Sequence, residues 1–207
     1  MAEKDFDPLN GFTIALQDGE LFDFRPVKPD DWQTIQKGMG ALSSKSRYFR
    51  FFSPLTKLSD TQLHYFTEVD QCEHVAWIAL ARDLAGYPGV GIARFIRFKD
   101  EPHIAEFAVT VIDEYQKRGL GTLLLAVLYL LARKQGIQLL RAYVLPENRV
   151  AMTWFEGLGS SSKFENGLLQ MDIAVYSDQA SSINSPLLQY FKAYLPRLTP
   201  LLDQNKS

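Results

Sequence analysis

Residues Ile104 to Ala132 read IAEFAVTVIDEYQKRGLGTLLLAVLYLLA, a strand, a glycine turn and a buried helix in succession. Ile104 to Ile112 is rich in apolar and β-branched residues, the make-up of a central strand. Asp113 to Arg118 is polar and breaks the pattern. Gly119 and Gly121 then open a helix that runs to about Lys134. Leu123, Leu124, Leu125, Val127, Leu128, Leu130 and Leu131 make it apolar almost all round, which predicts burial on most sides. The apolar run is shorter than the ~18 residues that a bilayer requires. Glycines at a strand-to-helix turn let a ligand approach the backbone closely. The unpaired N–H groups and positive dipole end of the helix favour a phosphate there. Lys117 and Arg118 add two positive charges. The turn alone also admits a plainer reading, a glycine-relieved bend that holds no ligand.

The chain of 207 residues suggests one domain with a sizeable core. Its 46% hydrophobic and 22% charged residues are those of an ordinary globular protein. A formal net charge of -2 and the lack of any basic run give no electrostatic case for nucleic acid. Cys72 is the only cysteine, so no disulfide closes within the chain. It reads as a half-buried structural thiol. His64, His74 and His103 have no metal-ligand spacing, and no metal is expected. Met1 to Asp7 carries charge and no apolar secretory core, so the expected location is cytoplasmic, with no membrane partner.

Phe12 to Leu16 and Leu21 to Phe24 flank Asp18-Gly19 and read as a hairpin. Pro29, Asp30 and Asp31 open a helix reaching about Gly40. Ser43 to Phe52 reads as a short helix, most of whose aromatics are expected to plug the core. Ser59-Asp60-Thr61-Gln62 is a capping-box pattern for a helix up to about Glu68. Strands follow at His74 to Arg82 and Val90 to Phe98, and short links predict antiparallel pairing with the strand from Ile104. Gly136 ends the long helix. Leu139 to Leu145 is a strand whose helical link permits a parallel partner. Asn148 to Leu158 is helical, and Gly159 stops it. Phe164 and Leu168 to Val175 flank Asn166-Gly167, a hairpin signal. Ser177 to Ser185 is a polar linker. Leu187, Leu188, Phe191, Tyr194 and Leu195 then form one helix face, which either covers the core or meets a second copy of the chain. The final residues through Ser207 read as frayed.

The glycines discriminate among ligand-binding turns. A Walker A loop needs Gly-Lys-Ser/Thr, whereas Thr122 and Leu123 follow Gly121. A dinucleotide fingerprint needs a third glycine where Leu124 stands. Gln116, Gly119 and Gly121 instead give Gln-x-x-Gly-x-Gly, which resembles the acyl-CoA pyrophosphate loop of the GNAT superfamily of N-acetyltransferases. Asn148, Ala151 and the helix-ending Gly159 resemble a second motif of that superfamily. The element order from roughly Gly19 to Val175 is similar to its fold. Ser46-x-Tyr48-x-Arg50-Phe51-Phe52, Ala105-Glu106-Phe107-Ala108 and Leu145-Pro146-Glu147-Asn148 resemble the catalytic domain of Pat-type protein lysine acetyltransferases.

The resemblance implies an α/β (α+β) GNAT fold: a central mixed, mostly antiparallel sheet flanked by helices, with an extra C-terminal helix. The expected organisation is an N-terminal extension and hairpin strand over 1–18, the acetyltransferase domain over 19–176, and a linker, helix and tail over 177–207. It implies acetyl-CoA as co-substrate, with the pyrophosphate on Gln116, Lys117, Arg118, Gly119, Leu120, Gly121 and Thr122. The backbone at Val109 and Val111 would pair with the pantetheine arm. Asn148 would contact that arm, although as a helix N-cap it has a local role too. Phe155 lines the cofactor side where many relatives carry a tyrosine acid. Phenylalanine donates no proton, which leaves water or Tyr143 for that task. Glu106 would be the general base, on a strand face shared with Ile104, Ala108 and Ile112, where desolvation raises a carboxylate's pKa. Its alternative is a structural pairing with Arg94 or Arg97. The implied acceptor is a protein lysine, as in metabolic enzymes such as acyl-CoA synthetases. A small-molecule amine acetyltransferase and a CoA-binding domain without turnover are the rival readings.

Overall fold

The computed structural model describes residues 11–16, 18–175 and 185–203. One sheet of eight strands organises them: β1 (Phe12–Ala15), β2 (Leu21–Pro26), β3 (His74–Ala81), β4 (Gly89–Arg97), β5 (Ile104–Val111), β6 (Leu139–Val144), β7 (Ser161–Glu165) and β8 (Leu168–Ala174). Their spatial order is β1-β2-β3-β4-β5-β6-β8-β7. All neighbours are antiparallel except β5 and β6. The helix between β5 and β6 makes that parallel step possible. This is the mixed, mostly antiparallel sheet that the sequence predicts.

The connecting helices are α1 (Trp32–Ala41), α2 (Ser44–Phe51), α3 (Asp60–Thr67), α4 (Leu120–Lys134), α5 (Arg149–Gly157) and α6 (Pro186–Asp203). Helix α4 is the centre of the main core. Leu120, Leu123, Leu124, Leu125, Ala126, Val127 and Leu128 have no exposure, and they pack with Ala105 and Phe107 of β5. Helices α5 and α6 join this cluster. On the opposite face, α1 and α3 contribute to two smaller clusters, with Ala76, Ile78 and Leu80 of β3 in one of them. The Asn166-Gly167 turn has positive φ at both residues, 51° and 82°, the mirror-image turn that matches strand twist. The Ser59 capping box is formed.

Two expectations fail. No residue of α2 is buried; Tyr48 is 38% exposed and Phe52 42%. Of the helix's aromatics only Phe51 packs against a core cluster. Cys72 is exposed, because it sits in a turn pinned by Asp70, whose Oδ1 accepts from the N–H groups of Cys72 and His74 at 2.8 and 2.9 Å. The C-terminal apolar face covers the core: Leu188, Phe191, Tyr194, Leu198 and Leu202 are all buried in the main cluster. The linker, apart from Ser185, and residues 204–207 lie outside the described residues. No described helix is long and apolar enough to cross a membrane.

Candidate active site

Strands β5 and β6 pair at only three positions, Ile104 with Leu139, Ala105 with Leu140 and Glu106 with Arg141. Beyond Glu106 they part. β5 continues on β4 as far as Val111, while β6 continues on β8 as far as Val144. A wedge therefore opens in the middle of the sheet. In an antiparallel ladder the backbone groups of alternate residues point to opposite edges. Ile112 N–H bonds to Val90 C=O, and Phe98 N–H to Ile104 C=O, so even-numbered residues of β5 face β4. Phe107, Val109 and Val111 consequently turn their N–H and C=O groups into the wedge. Val111 C=O is already taken by Gln116 Nε2 at 3.0 Å.

The wedge leads to the start of α4. Lys117 and Gly119 have φ of 61° and 91°, and such alternation of left- and right-handed residues curls successive N–H groups inward. Leu123 N–H bonds to Gly119 C=O. From Lys117 to Thr122, no backbone N–H has a partner among the described residues. Six donors at a helix N-terminus form an anion cradle. A Cβ on Gly119 would strike the Tyr190 ring of α6, whereas one on Gly121 would meet only Val111 and Val109 methyls at 3.7 and 3.8 Å. Protein packing therefore explains the glycine at 119 and leaves the one at 121 unexplained, as close approach of a ligand would.

The side chains of this loop divide. Arg118 is held by Asp18 at 2.6 Å and by Glu20, and lies 4.9 Å over the Tyr115 ring. Its hydrogen bonds hold the Asp18 carboxyl below the usual range. Lys117 is exposed and has no ion pair among the described residues, so it is the loop's uncommitted cation. Thr122 is 3% exposed, and its hydroxyl accepts from Trp154 Nε1 at 3.0 Å; only its N–H remains for a ligand. Asn148 caps α5, its Oδ1 accepting from Ala151 N–H at 3.2 Å. Phe155 is buried against Phe107, ring centroids 5.8 Å apart, under the wedge.

Glu106 stands at the apex of the wedge, on the sheet face away from α4. Its neighbours there are Ile96 across β4 and Arg141 across β6. The carboxylate makes no hydrogen bond or ion pair among the described residues. Arg97 pairs instead with Glu73 at 3.2 Å, and Arg94 Nη1 meets His74 Nε2 at 3.0 Å, so neither arginine fills the structural role considered for them. Burial raises the Glu106 pKa above the ordinary glutamate value, and the Arg50 charge opposes that rise. The face is therefore less apolar than its strand pattern implies. Tyr143 lies on it as well, two residues beyond Arg141 along the diverging edge of β6. Burial and the Arg94 charge depress His74 to about 4, so its ring is neutral at pH 7. No cluster of metal-ligating side chains occurs among the described residues.

Three contacts around the site had no local sequence signal. The Asp113 carboxylate accepts from Ser43 N–H and Oγ at 2.8 Å and from Ser46 Oγ at 2.9 Å, locking α2 to the end of β5. Trp154 ties α5 to α4, and Tyr190 seats α6 against the loop. Each joins residues far apart in the chain.

Residues 41–159 match the acetyltransferase (GNAT) family. Acetyltransferase Pat of Mycolicibacterium smegmatis is 35% identical over 147 residues, which cover 71% of this chain and 43% of that protein. Acetyltransferase PA5475 of Pseudomonas aeruginosa is 30% identical over 124 residues, 60% of this chain and 66% of that one. The chain thus aligns with under half of the first relative's length. The crystal structure of the GNAT domain of S. lividans PAT superimposes with a TM-score of 0.73 at 30% identity, covering 79% of this chain and 96% of that domain. The glycine cradle, the parted strands and the sheet order are thus those of a chain that belongs to the acetyltransferase (GNAT) family of enzymes.

Proposed function

We propose that the chain is an acetyl-CoA-dependent N-acetyltransferase that acetylates a protein lysine by direct attack, with Glu106 as general base. The observation that carries the reading is the parting of β5 and β6 between the amide cradle and Glu106. From Glu106 to Val111 the strand spans ~17 Å at ~3.4 Å per residue, a suitable length for an extended pantetheine arm. Lys117 to Thr122 would hold the pyrophosphate, and Val109 would offer its N–H and C=O to the arm as an added strand does. The thioester would then reach the apex, where Glu106 faces the acceptor.

Glu106 takes one proton from the lysine ammonium. The freed amine lone pair forms the new C–N bond at the thioester carbonyl, the C–S bond breaks as the tetrahedral adduct collapses, and the second proton of the nitrogen passes to the departing thiolate, directly or through a donor beside it. Backbone N–H groups near Val109 would stabilise the developing oxyanion. A thiol pKa of about 8.5 makes the thiolate a tolerable leaving group. Phe155 donates no proton, so water or Tyr143, which shares the Glu106 face of the sheet, would protonate it. The exposed aromatics Tyr48, Phe52 and Tyr65 favour a folded protein as acceptor, since such rings are typical of contact surfaces.

Thiol release from acetyl-CoA tests the reading, measured with lysine-bearing folded proteins, free polyamines, aminoglycosides and no acceptor. Protein lysines are expected to give the highest kcat/KM. A wide margin in favour of small amines would replace the acceptor class, and binding without turnover on any acceptor would remove the enzymatic reading.

A further inference from the structure

Arg25, Arg82, Arg97, Arg118 and Arg141 each pair with a carboxylate, although their side chains are 15% to 31% exposed. Arg94, at 6% exposure, is the most deeply buried of these arginines and has no carboxylate within ion-pair distance among the described residues. Its Nη1 meets neutral His74, its Nη2 donates to Phe66 C=O at 3.4 Å, and its guanidinium lies 4.3 Å over the Phe66 ring. Arg50 is half-buried and likewise has no carboxylate within ion-pair distance among the described residues, although the Glu106 charge acts on it. Its Nε donates to Thr110 Oγ1 at 3.1 Å, and both terminal nitrogens lack an acceptor among the described residues. Burial and the Arg50 charge pull the Arg94 pKa below that of an ordinary arginine. A buried cation is normally paired or bound to a ligand.

Both arginines line one cleft between the sheet and helices α1 to α3. The rest of its wall is mainly apolar, including Met39, Leu42, Ile78, Ile92 and Ile112. The cleft measures about 70 Å³, room for about six waters at ~10–15 Å³ each. Arg94 is opposite Ala108 on β5 and Arg50 bonds Thr110, the next residue along that face, so both guanidinium groups belong to the sheet face that carries Glu106 at the apex of the wedge. We propose that this cleft binds a small carboxylate with a short branched or linear apolar body, its head group on Arg50 and Arg94 and its body against Ile78, Ile92 and Ile112. The match is of charge and of size: two guanidinium groups with no carboxylate within ion-pair distance among the described residues, and a wall of isoleucines that satisfies no polar group. The inference does not depend on the proposed lysine acceptor. Two sources share this chemistry, a free short-chain acid and the carboxylate of an apolar amino acid whose amine would face Glu106.

The experiment uses the whole chain saturated with CoA, which keeps the amide cradle occupied. Isoleucine and threonine methyl resonances are followed during titration with isovalerate and with isovaleramide, its uncharged analogue. Isovalerate is expected to shift the Ile78, Ile92, Ile112 and Thr110 methyls saturably. Isovaleramide, and isovalerate with Arg50→Gln, should each bind at least about tenfold more weakly, the loss of roughly one charge-assisted contact. Arg94→Gln should do the same where its methyl spectrum shows a native fold; Arg50→Gln decides the matter if it does not. Equal affinity for acid and amide, unchanged binding in Arg50→Gln, or shifts confined to residues outside the cleft would overturn the proposal. Leucine with acetyl-CoA separates the two sources: thiol release makes the occupant an acceptor, and methyl shifts without release make it a ligand.

Discussion

Glu106 illustrates how far a single residue can be read. Its strand position and face follow from the alternation of Ile104, Ala108 and Ile112, and it occupies that face. Its electrostatic setting does not follow, because Arg50 arrives from α2, fifty-six positions earlier by their numbers, and is coupled to it only by the fold. The proposed role gives a prediction with a definite sign. Glu106→Gln retains size but accepts no proton. At neutral pH a lysine of pKa ~10.4 arrives charged, so kcat should fall by ~10²–10⁴-fold, and the deficit should shrink as pH rises and more acceptor arrives neutral. Stability moves the other way. A carboxylate whose pKa is raised in the folded state binds its proton more tightly there, so folding loses stability as pH rises through that range. The substitution removes that loss, and its Tm at pH 7 should be no lower than that of the native protein. Paired kcat–pH profiles and thermal melts check both statements; near-native turnover at pH 7 would remove Glu106 from the mechanism. Tyr143→Phe should lower kcat while leaving the acidic limb of the profile in place, since it acts on the leaving group. An unchanged kcat would assign that proton to water.

At the scale of elements, the strand–turn–helix order was legible because its signals are local: β-branched residues, two glycines and a leucine-rich helix. The wedge between β5 and β6 was not, because register is decided by partners distant in sequence, namely β4 on one side and β8 on the other. The two glycines also looked alike in the sequence and differ in the fold. Gly119 has φ of 91° and abuts Tyr190, so Gly119→Ala should cost about 1–2 kcal/mol or more. It makes a poor probe of the ligand, because lost folding and lost binding would be confounded. Gly121 lies within the first turn of α4 with ordinary room for a Cβ. Gly121→Ala should therefore raise stability by about 0.5–1 kcal/mol, the usual gain over glycine in a helix, and yet weaken acetyl-CoA binding. Denaturant melts and calorimetry on one protein sample give both quantities. A stabilised variant with native affinity would show that the cradle does not hold the pyrophosphate.

At the scale of the whole molecule, α6 completes the core. The apolar face from Leu187 to Leu195 was visible in the sequence, but its choice between core and partner was not. Pro196 and Pro200 each lack the N–H that a helix interior uses. Yet α6 continues to Asp203 with both prolines inside it, and Leu198 and Leu202 are 0% and 1% exposed. Packing against α4 outweighs the two lost helical hydrogen bonds. Lys134 reinforces the junction, pairing with Asp203 at 2.9 Å and donating to Leu202 C=O. Leu198→Ala should therefore destabilise the chain by about 2–5 kcal/mol, the range for a buried leucine whose neighbours relax only partly. Leu198 lies two helical turns beyond Tyr190, the residue of α6 that touches the loop, so acetyl-CoA affinity should be little changed. If acetyl-CoA binds only the folded chain, saturating it at 100 times Kd should restore about 2.7 kcal/mol to native and variant alike. Urea melts with and without acetyl-CoA supply the four stabilities needed. Equal increments place α6 in the scaffold, whereas a smaller increment in Leu198→Ala would mean that α6 shapes the cradle through Tyr190 as well as closing the core.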